Sequence, residues 1–304
     1  MIKHFRSIVF TVLWMIITAM ASCQKEPRGE TFIYPAPFPD SVPEVFLPGL
    51  VSSDSFDFNA AYSPDGRSYY FSRRSNRQSD IFVTNFLDGA WTVPVLAPFN
   101  TPDYSEADPA FDHKGNVYFI TNRPRDPTDT FADYDIWFAT PGDHGWKEPV
   151  PLTVVNSDSS EFYISFSQNG NLYFASSRRG GFGEEDIYVS KRNAAGYAAP
   201  QNLGSTINSA ASEYDPGISR DETLIVFTSP NREDTFGGGD LYGAERGTDG
   251  KWKQVIHLDR SLNTTSREFC SYFSPDSKIF FFSSEGDVKW IGAGMIKQQI
   301  KSKN

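Results

Sequence analysis

Ser63-Pro64-Asp65-Gly66-Arg67-Ser68-Tyr69-Tyr70-Phe71-Ser72 decides the fold. Its first four residues make a turn, because Pro pre-sets φ and Gly accepts positive φ. The aromatic run that follows suits a strand. Nearly the same text returns four more times. The turn recurs at Lys114-Gly115, Asn169-Gly170, Asp221-Glu222 and Asp276-Ser277, at intervals of 49 to 55 residues. An aromatic strand end follows each turn, at Phe71, Phe119, Phe174, Phe227 and Phe282.

Two further markers complete each unit. Asp80-Ile81-Phe82, Asp135-Ile136-Trp137, Asp186-Ile187-Tyr188, Asp240-Leu241-Tyr242 and a degraded Asp287-Val288-Lys289-Trp290 open a third strand. Gly89-Ala90-Trp91, Gly145-Trp146, Gly196-Tyr197 and Gly250-Lys251-Trp252 lead to a fourth, ending at Leu96, Leu152, Leu203 and Leu258. Four short strands per repeat of about fifty residues, with no helical period, is the signature of a β-propeller blade. The fifth unit lacks its last strand. Leu47 lies ten residues before Asp57, as Leu96 lies before Glu106, so Pro43 to Leu50 is expected to supply that strand from the N-terminus. The expected fold is all-β, a five-bladed β-propeller of four-stranded antiparallel blades whose ring is closed by an N-terminal strand. Closure removes the open edges that a sheet must otherwise protect.

Residues 63–72, 177–190 (SRRGGFGEEDIYVS) and 212–229 (SEYDPGISRDETLIVFTS) resemble TolB-type, WD40-like β-propeller repeats, which are common in lipoproteins of the bacterial envelope. The resemblance implies the fold and says little about activity, because propellers serve many unrelated roles.

The expected organisation is a signal peptide over 1–22, a tether over 23–42, the propeller over 43–296 and a polar tail over 297–304. Lys3, His4 and Arg6 precede an apolar stretch too short for a stable membrane span. Met20-Ala21-Ser22-Cys23 resembles a lipobox, which makes Cys23 the acylated first residue of the mature chain. A plain signal peptide cut near Ala21 is the alternative. Gln24-Lys25-Glu26 partly resembles the surface-export signal of Bacteroidetes-type lipoproteins. A lipid holds a chain on a membrane without spanning it. The implied location is therefore the outer membrane, facing the periplasm or the cell surface. Cys270 is the other of two cysteines, so acylation of Cys23 leaves no internal disulfide. The formal net charge of −10 argues against nucleic acid as a partner.

In an up-and-down blade, the loops entering strand a and those joining b to c emerge at one end. That end carries an acid entering each blade, Asp57, Glu106, Glu161, Glu213 and Glu268, and an arginine past strand b, Arg74, Arg123, Arg178 and Arg232. Its longest b–c loops each hold a phenylalanine, Phe131, Phe182 and Phe236. Aromatic faces stack on sugars or fill partner pockets, and Arg forks bind carboxylates. These residues are the candidate ligand-binding set, for an envelope protein or a glycan. The competing reading is that each acid pairs with an arginine and each Phe pins its own loop.

A hydrolase needs two differentiated groups. The acids repeat almost identically, which favours a binder over an enzyme. Asp108 and Asp215 break the equivalence, where the other units have Asn59, Tyr163 and Cys270, and are the catalytic candidates if the chain is a glycosidase. The four histidines are too few and too scattered for a zinc site or a Ser-His-Asp triad. No metal site is expected. Asp126, Asp129, Asp133 and Asp135 offer only a weak Ca²⁺ candidate without EF-hand order.

Overall fold

The computed structural model describes residues 32–39, 41–76, 78–143 and 145–303. The signal segment and Cys23 lie outside the described residues. Five sheets form five blades. Strands a, b and c are Phe56–Tyr62, Ser68–Ser75 and Gln78–Leu87 in blade 1; Glu106–Phe111, Val117–Thr121 and Asp135–Ala139 in blade 2; and Glu161–Phe166, Leu172–Ser176 and Asp186–Ser190 in blade 3. In blade 4 they are Tyr214–Ile218, Leu224–Ser229 and Asp240–Glu245, and in blade 5 Phe269–Phe273, Ile279–Ser284 and Asp287–Gly292. Each outer strand d is two residues long: Val95–Leu96, Val150–Pro151, Gln201–Asn202, Ile256–His257 and, for blade 5, Glu44–Val45.

The ring closes as the repeat requires. Glu44 pairs with Trp290 and Val45 with Lys289, antiparallel. Phe46 follows and is fully buried against Tyr69, Phe281 and Trp290, so the N-terminal segment joins blade 5 to blade 1. Among the described residues the apolar core falls into five clusters, one between each pair of neighbouring blades. Both faces of every blade are thus covered, which explains why strand b is apolar without alternation.

A two-residue outer strand is too short to hold itself. Asn100, Asn156, Asn208 and Asn263 extend it with side-chain amides. Each accepts the backbone N–H and donates to the carbonyl of one strand-c residue, respectively Ile81, Ile136, Ile187 and Leu241. Ser52 makes the corresponding pair of bonds to Val288 in blade 5.

The C-terminus departs from the expected polar tail. Ala293–Ser302 is a helix, with Ala293, Ile296, Gln299 and Ile300 buried. Ile296 and Ile300 are four apart and share one face. Ile300 seats over Gly243 of blade 4, where an added Cβ would stand 2.6 Å from its Cδ1. Gln299 accepts from the Asp259 N–H at 2.9 Å and donates to the Asp259 carboxylate at 2.9 Å.

Candidate binding cavity at the tunnel mouth

The five acids entering the blades do not line an open surface. All are fully buried. Each accepts two bonds from a Ser or Thr in the preceding loop, as Glu213 does from the Ser209 N–H and Oγ at 2.7 and 2.6 Å. Four also hold an arginine: Asp57–Arg73 at 2.5 Å, Glu106–Arg123 at 2.7 Å, and Glu161–Arg178 and Glu213–Arg232 at 2.9 Å. Each guanidinium lies over one aromatic ring of strand b and one of strand c, as Arg123 does over Phe119 and Trp137. It also donates to a loop carbonyl, as Arg178 does to Val155 at 2.7 Å. Acid, arginine and two rings form a staple repeated around the ring. Glu268 lacks the arginine and uses Thr264 and Ser284 instead.

In blade 1 the stapling residue is Arg73, not Arg74. Strand b there is longer, Asp57 lies opposite Arg73 in register, and Arg74 turns the other way, over Phe56 and Phe58. Of the three loop phenylalanines, Phe131 and Phe182 are half exposed. Phe236 is pinned, its ring 4.2 Å from that of His257 and beneath the Arg260 guanidinium at 3.9 Å. His257 is not a free surface residue either, since it bonds Asp240 at 2.7 Å. In the acid-rich loop, Arg125 bridges Asp129 at 3.0 Å and Asp135 at 3.2 Å.

The opening is elsewhere on the same end. A cavity of about 460 Å³ lies at the tunnel mouth, between the starts of the a strands and the b–c loops. Its lining includes Phe58, Phe162, Tyr214 and Phe269, with Asp108, Asp215 and Cys270. One local device delivers these groups. Every strand a shifts register through a bulge, and at every bulge a non-glycine residue is left-handed: Asn59, Asp108, Tyr163, Asp215 and Cys270, with φ between 48° and 67°. A bulge re-aims a side chain. A left-handed non-glycine residue costs about 1 kcal/mol or more. The device is common to all five blades; the side chain it presents is not.

Neighbouring strands hold these bulges. Ser283 Oγ accepts from the Asn59 N–H and Ser72 Oγ from the Asp108 N–H, both at 3.0 Å. The Cys270 N–H donates to Asp215 at 3.0 Å. Tyr163 reaches across the bore and donates to the Ser271 carbonyl at 2.7 Å. Gly217 is needed where blades 4 and 5 converge, since a Cβ there would meet the Ser271 carbonyl oxygen at 2.6 Å.

Burial pushes Asp108 up to about 7, with the Asp215 charge adding to it, while Asn59, the Tyr163 backbone and Arg267 work against the rise. Burial also raises Asp215, opposed by Arg267 and the Cys270 N–H. Burial and then the Asp215 charge raise Glu185 at the cavity wall. The Cys270 thiol is pushed well up by burial, so it is no nucleophile at neutral pH.

The lining aromatics carry a signal in the sequence. The residue after the acid is Phe58, Phe162, Tyr214 and Phe269 in four of the five units, and Ala107 in the other. Alternation along a strand puts it on the opposite face from the buried acid, toward the bore.

No protein-family model matches the chain, and neither does any curated protein. Solved structures do. The chain is similar to a putative TolB from Agrobacterium tumefaciens at 15% identity, covering 76% of this chain and 71% of that one, with a TM-score of 0.50. The fold is that of a TolB-type β-propeller. The tricorn protease matches at 18% identity over 80% of this chain but 22% of its own, with a TM-score of 0.50. A chain of the nidogen/laminin complex matches at 12% identity over 79% and 77%, also at 0.50. Identity this low carries the TolB-type architecture and no activity.

Proposed function

We propose that the protein is a non-catalytic, lipid-anchored envelope propeller that binds a partner through its tunnel-mouth end, taking part of an envelope protein or a glycan into the cavity. The observation that carries this reading is the cavity itself. Its walls are aromatic, its floor is polar, and the floor residues differ from blade to blade although the backbone that presents them does not. Ligand sites combine concavity, apolar walls and a few convergent polar groups in this way. Phe131 and Phe182, exposed beside the mouth, supply further contact area for a macromolecule.

The test is affinity capture from the native envelope, together with binding of glycans and peptides to the purified chain. Phe162→Ala and Phe269→Ala variants should lose the ligand, and a Phe131→Ala/Phe182→Ala double variant should weaken a macromolecular partner. Retention of every partner by the lining variants would overturn the assignment.

A glycosidase-like hydrolase is the second reading. The observation that favours it is the pair of buried carboxyls in the cavity, Asp108 and Asp215, both raised by burial, as a carboxyl acting as a general acid must be. Turnover of aryl-glycosides, lost in both Asp108→Asn and Asp215→Asn, would establish it in place of the first.

A further inference from the structure

The floor of the cavity carries two carboxyls, Asp108 and Asp215. Asp108 and Asp215 are buried, and among the described residues neither is in an ion pair, unlike the four stapled acids. Asp108 Oδ1 accepts from Asn59 Nδ2 at 3.3 Å. Asn59 is itself buried beside it, and its Oδ1 has no partner. Two bulge residues, from blades 2 and 4, therefore bring two carboxyls to the cavity, with the Asn59 amide behind Asp108. The Asp215 charge adds to the rise of Asp108, and Arg267, in no ion pair with either among the described residues, offsets it only in part.

A hard dication wants six to eight oxygens. Among the described residues no group of three or more His, Cys, Asp or Glu side chains is arranged to hold a metal. An ammonium group has three donors and a compact charge, which the oxygens of two carboxylates can satisfy. The ring faces above the floor suit a cation and the apolar body attached to it.

The mouth has the opposite character. Arg74 lies over Phe56 and Phe58, and Arg267 lies over Tyr214 at 5.1 Å and Phe269 at 4.7 Å. Both line the cavity, and among the described residues neither is in an ion pair. Arginine forks of this kind take carboxylates in a bidentate manner. Negative floor and positive rim are complementary to one molecule carrying both charges.

We propose that the cavity receives a small zwitterion, an amino acid or short peptide, amine first: the ammonium on Asp108 and Asp215, the carboxylate toward Arg74 and Arg267. This rests on the reading that the cavity is the ligand site, and it names the ligand class. A volume of about 460 Å³ suits a molecule of one to three residues.

The experiment is isothermal titration of the folded protein with dipeptides carrying a free amine and an aromatic or aliphatic side chain. Each is paired with its N-acetylated and C-amidated form, and calcium chloride and neutral oligosaccharides are titrated in parallel. A free dipeptide should bind, and N-acetylation should weaken it about thirtyfold or more, the loss expected for a charge-assisted contact in a buried site. Asp108→Asn and Asp215→Asn should do the same without lowering the melting temperature, so misfolding cannot account for the loss. C-amidation and Arg267→Gln should each weaken binding about tenfold.

Equal binding of free and N-acetylated peptides would overturn the ammonium assignment. Calcium binding that depends on Asp108 would overturn it in favour of a metal. Binding of an oligosaccharide by the lining residues, with no dipeptide bound, would sink the zwitterion and leave the cavity as the ligand site. Absence of any binding that depends on the lining residues would remove both.

Discussion

Replacing Asp108 by Asn should stabilise this protein, and should do so increasingly as pH rises. Asn keeps the shape and can still accept from Asn59 Nδ2, but it carries no charge. The carboxyl stands at about 7 in the fold against its ordinary 3.8. At about 1.4 kcal/mol for each tenfold change, ionising it in place costs about 4 kcal/mol. The sign follows from linkage. The folded state holds this proton more tightly than the unfolded chain, so its contribution to stability is present below about pH 4. It is lost as pH rises toward 7 and is flat above. Urea unfolding of wild type and Asp108→Asn at pH 5, 6, 7 and 8 isolates the effect, because other titrating groups cancel in the difference. The gap should be about 1.5 kcal/mol at pH 5 and should rise to about 4 kcal/mol by pH 8. A gap that does not change with pH, or a variant less stable than wild type at pH 8, would refute the account of two mutually repelling carboxyls in the bore.

Four further outcomes follow from the packing. Glu106→Gln leaves the Arg123 guanidinium buried without its carboxylate and should cost about 3 kcal/mol in urea or thermal unfolding. Phe46→Ala removes a fully buried ring at the blade 5–blade 1 junction and should cost about 3–5 kcal/mol, read as a lowered melting temperature. Ile300→Ala should cost about 2–4 kcal/mol, and a Gly243→Ala variant should be destabilised by the clash that Ile300 otherwise avoids. Phe131→Ala and Phe182→Ala should each change stability by about 0.5 kcal/mol or less, as exposed positions do, whereas Phe236→Ala should cost more because it leaves His257 and Arg260 unpacked.

The repeat made the architecture readable because blade geometry imposes the same local demands five times. Ser63 to Ser72 and its four relatives mark the inner hairpins, and the missing strand after Trp290 points back to Glu44 and Val45. The acids and arginines were visible at their places, but sequence position alone does not say whether Glu161 faces a ligand or Arg178. The left-handed bulge was not legible as a repeat, because Asn59, Asp108 and Asp215 are types that favour positive φ but Tyr163 and Cys270 at the same place are not. In a regular strand, Asp108 would lie on the same face as Glu106. The bulge turns it into the bore instead. The C-terminal helix escaped notice because Ile296 and Ile300 are a thin apolar stripe, and what makes them bury is the bare backbone at Gly243.

The two-residue strand from Glu44 to Val45 also sets an order of events during synthesis. It leaves the ribosome before any blade exists, yet its partners, Lys289 and Trp290, follow the first four blades in the chain. Until then the first and last blades have no common seam, and the inner face of blade 1 toward Phe46 stays wet. Contacts this distant along a chain slow folding, since loop entropy is lost before the contact rewards it. Until Lys289 and Trp290 are made, the half-built ring is an open arc with two unsealed flanks, the state in which a neighbouring copy's strand or a chaperone would find it.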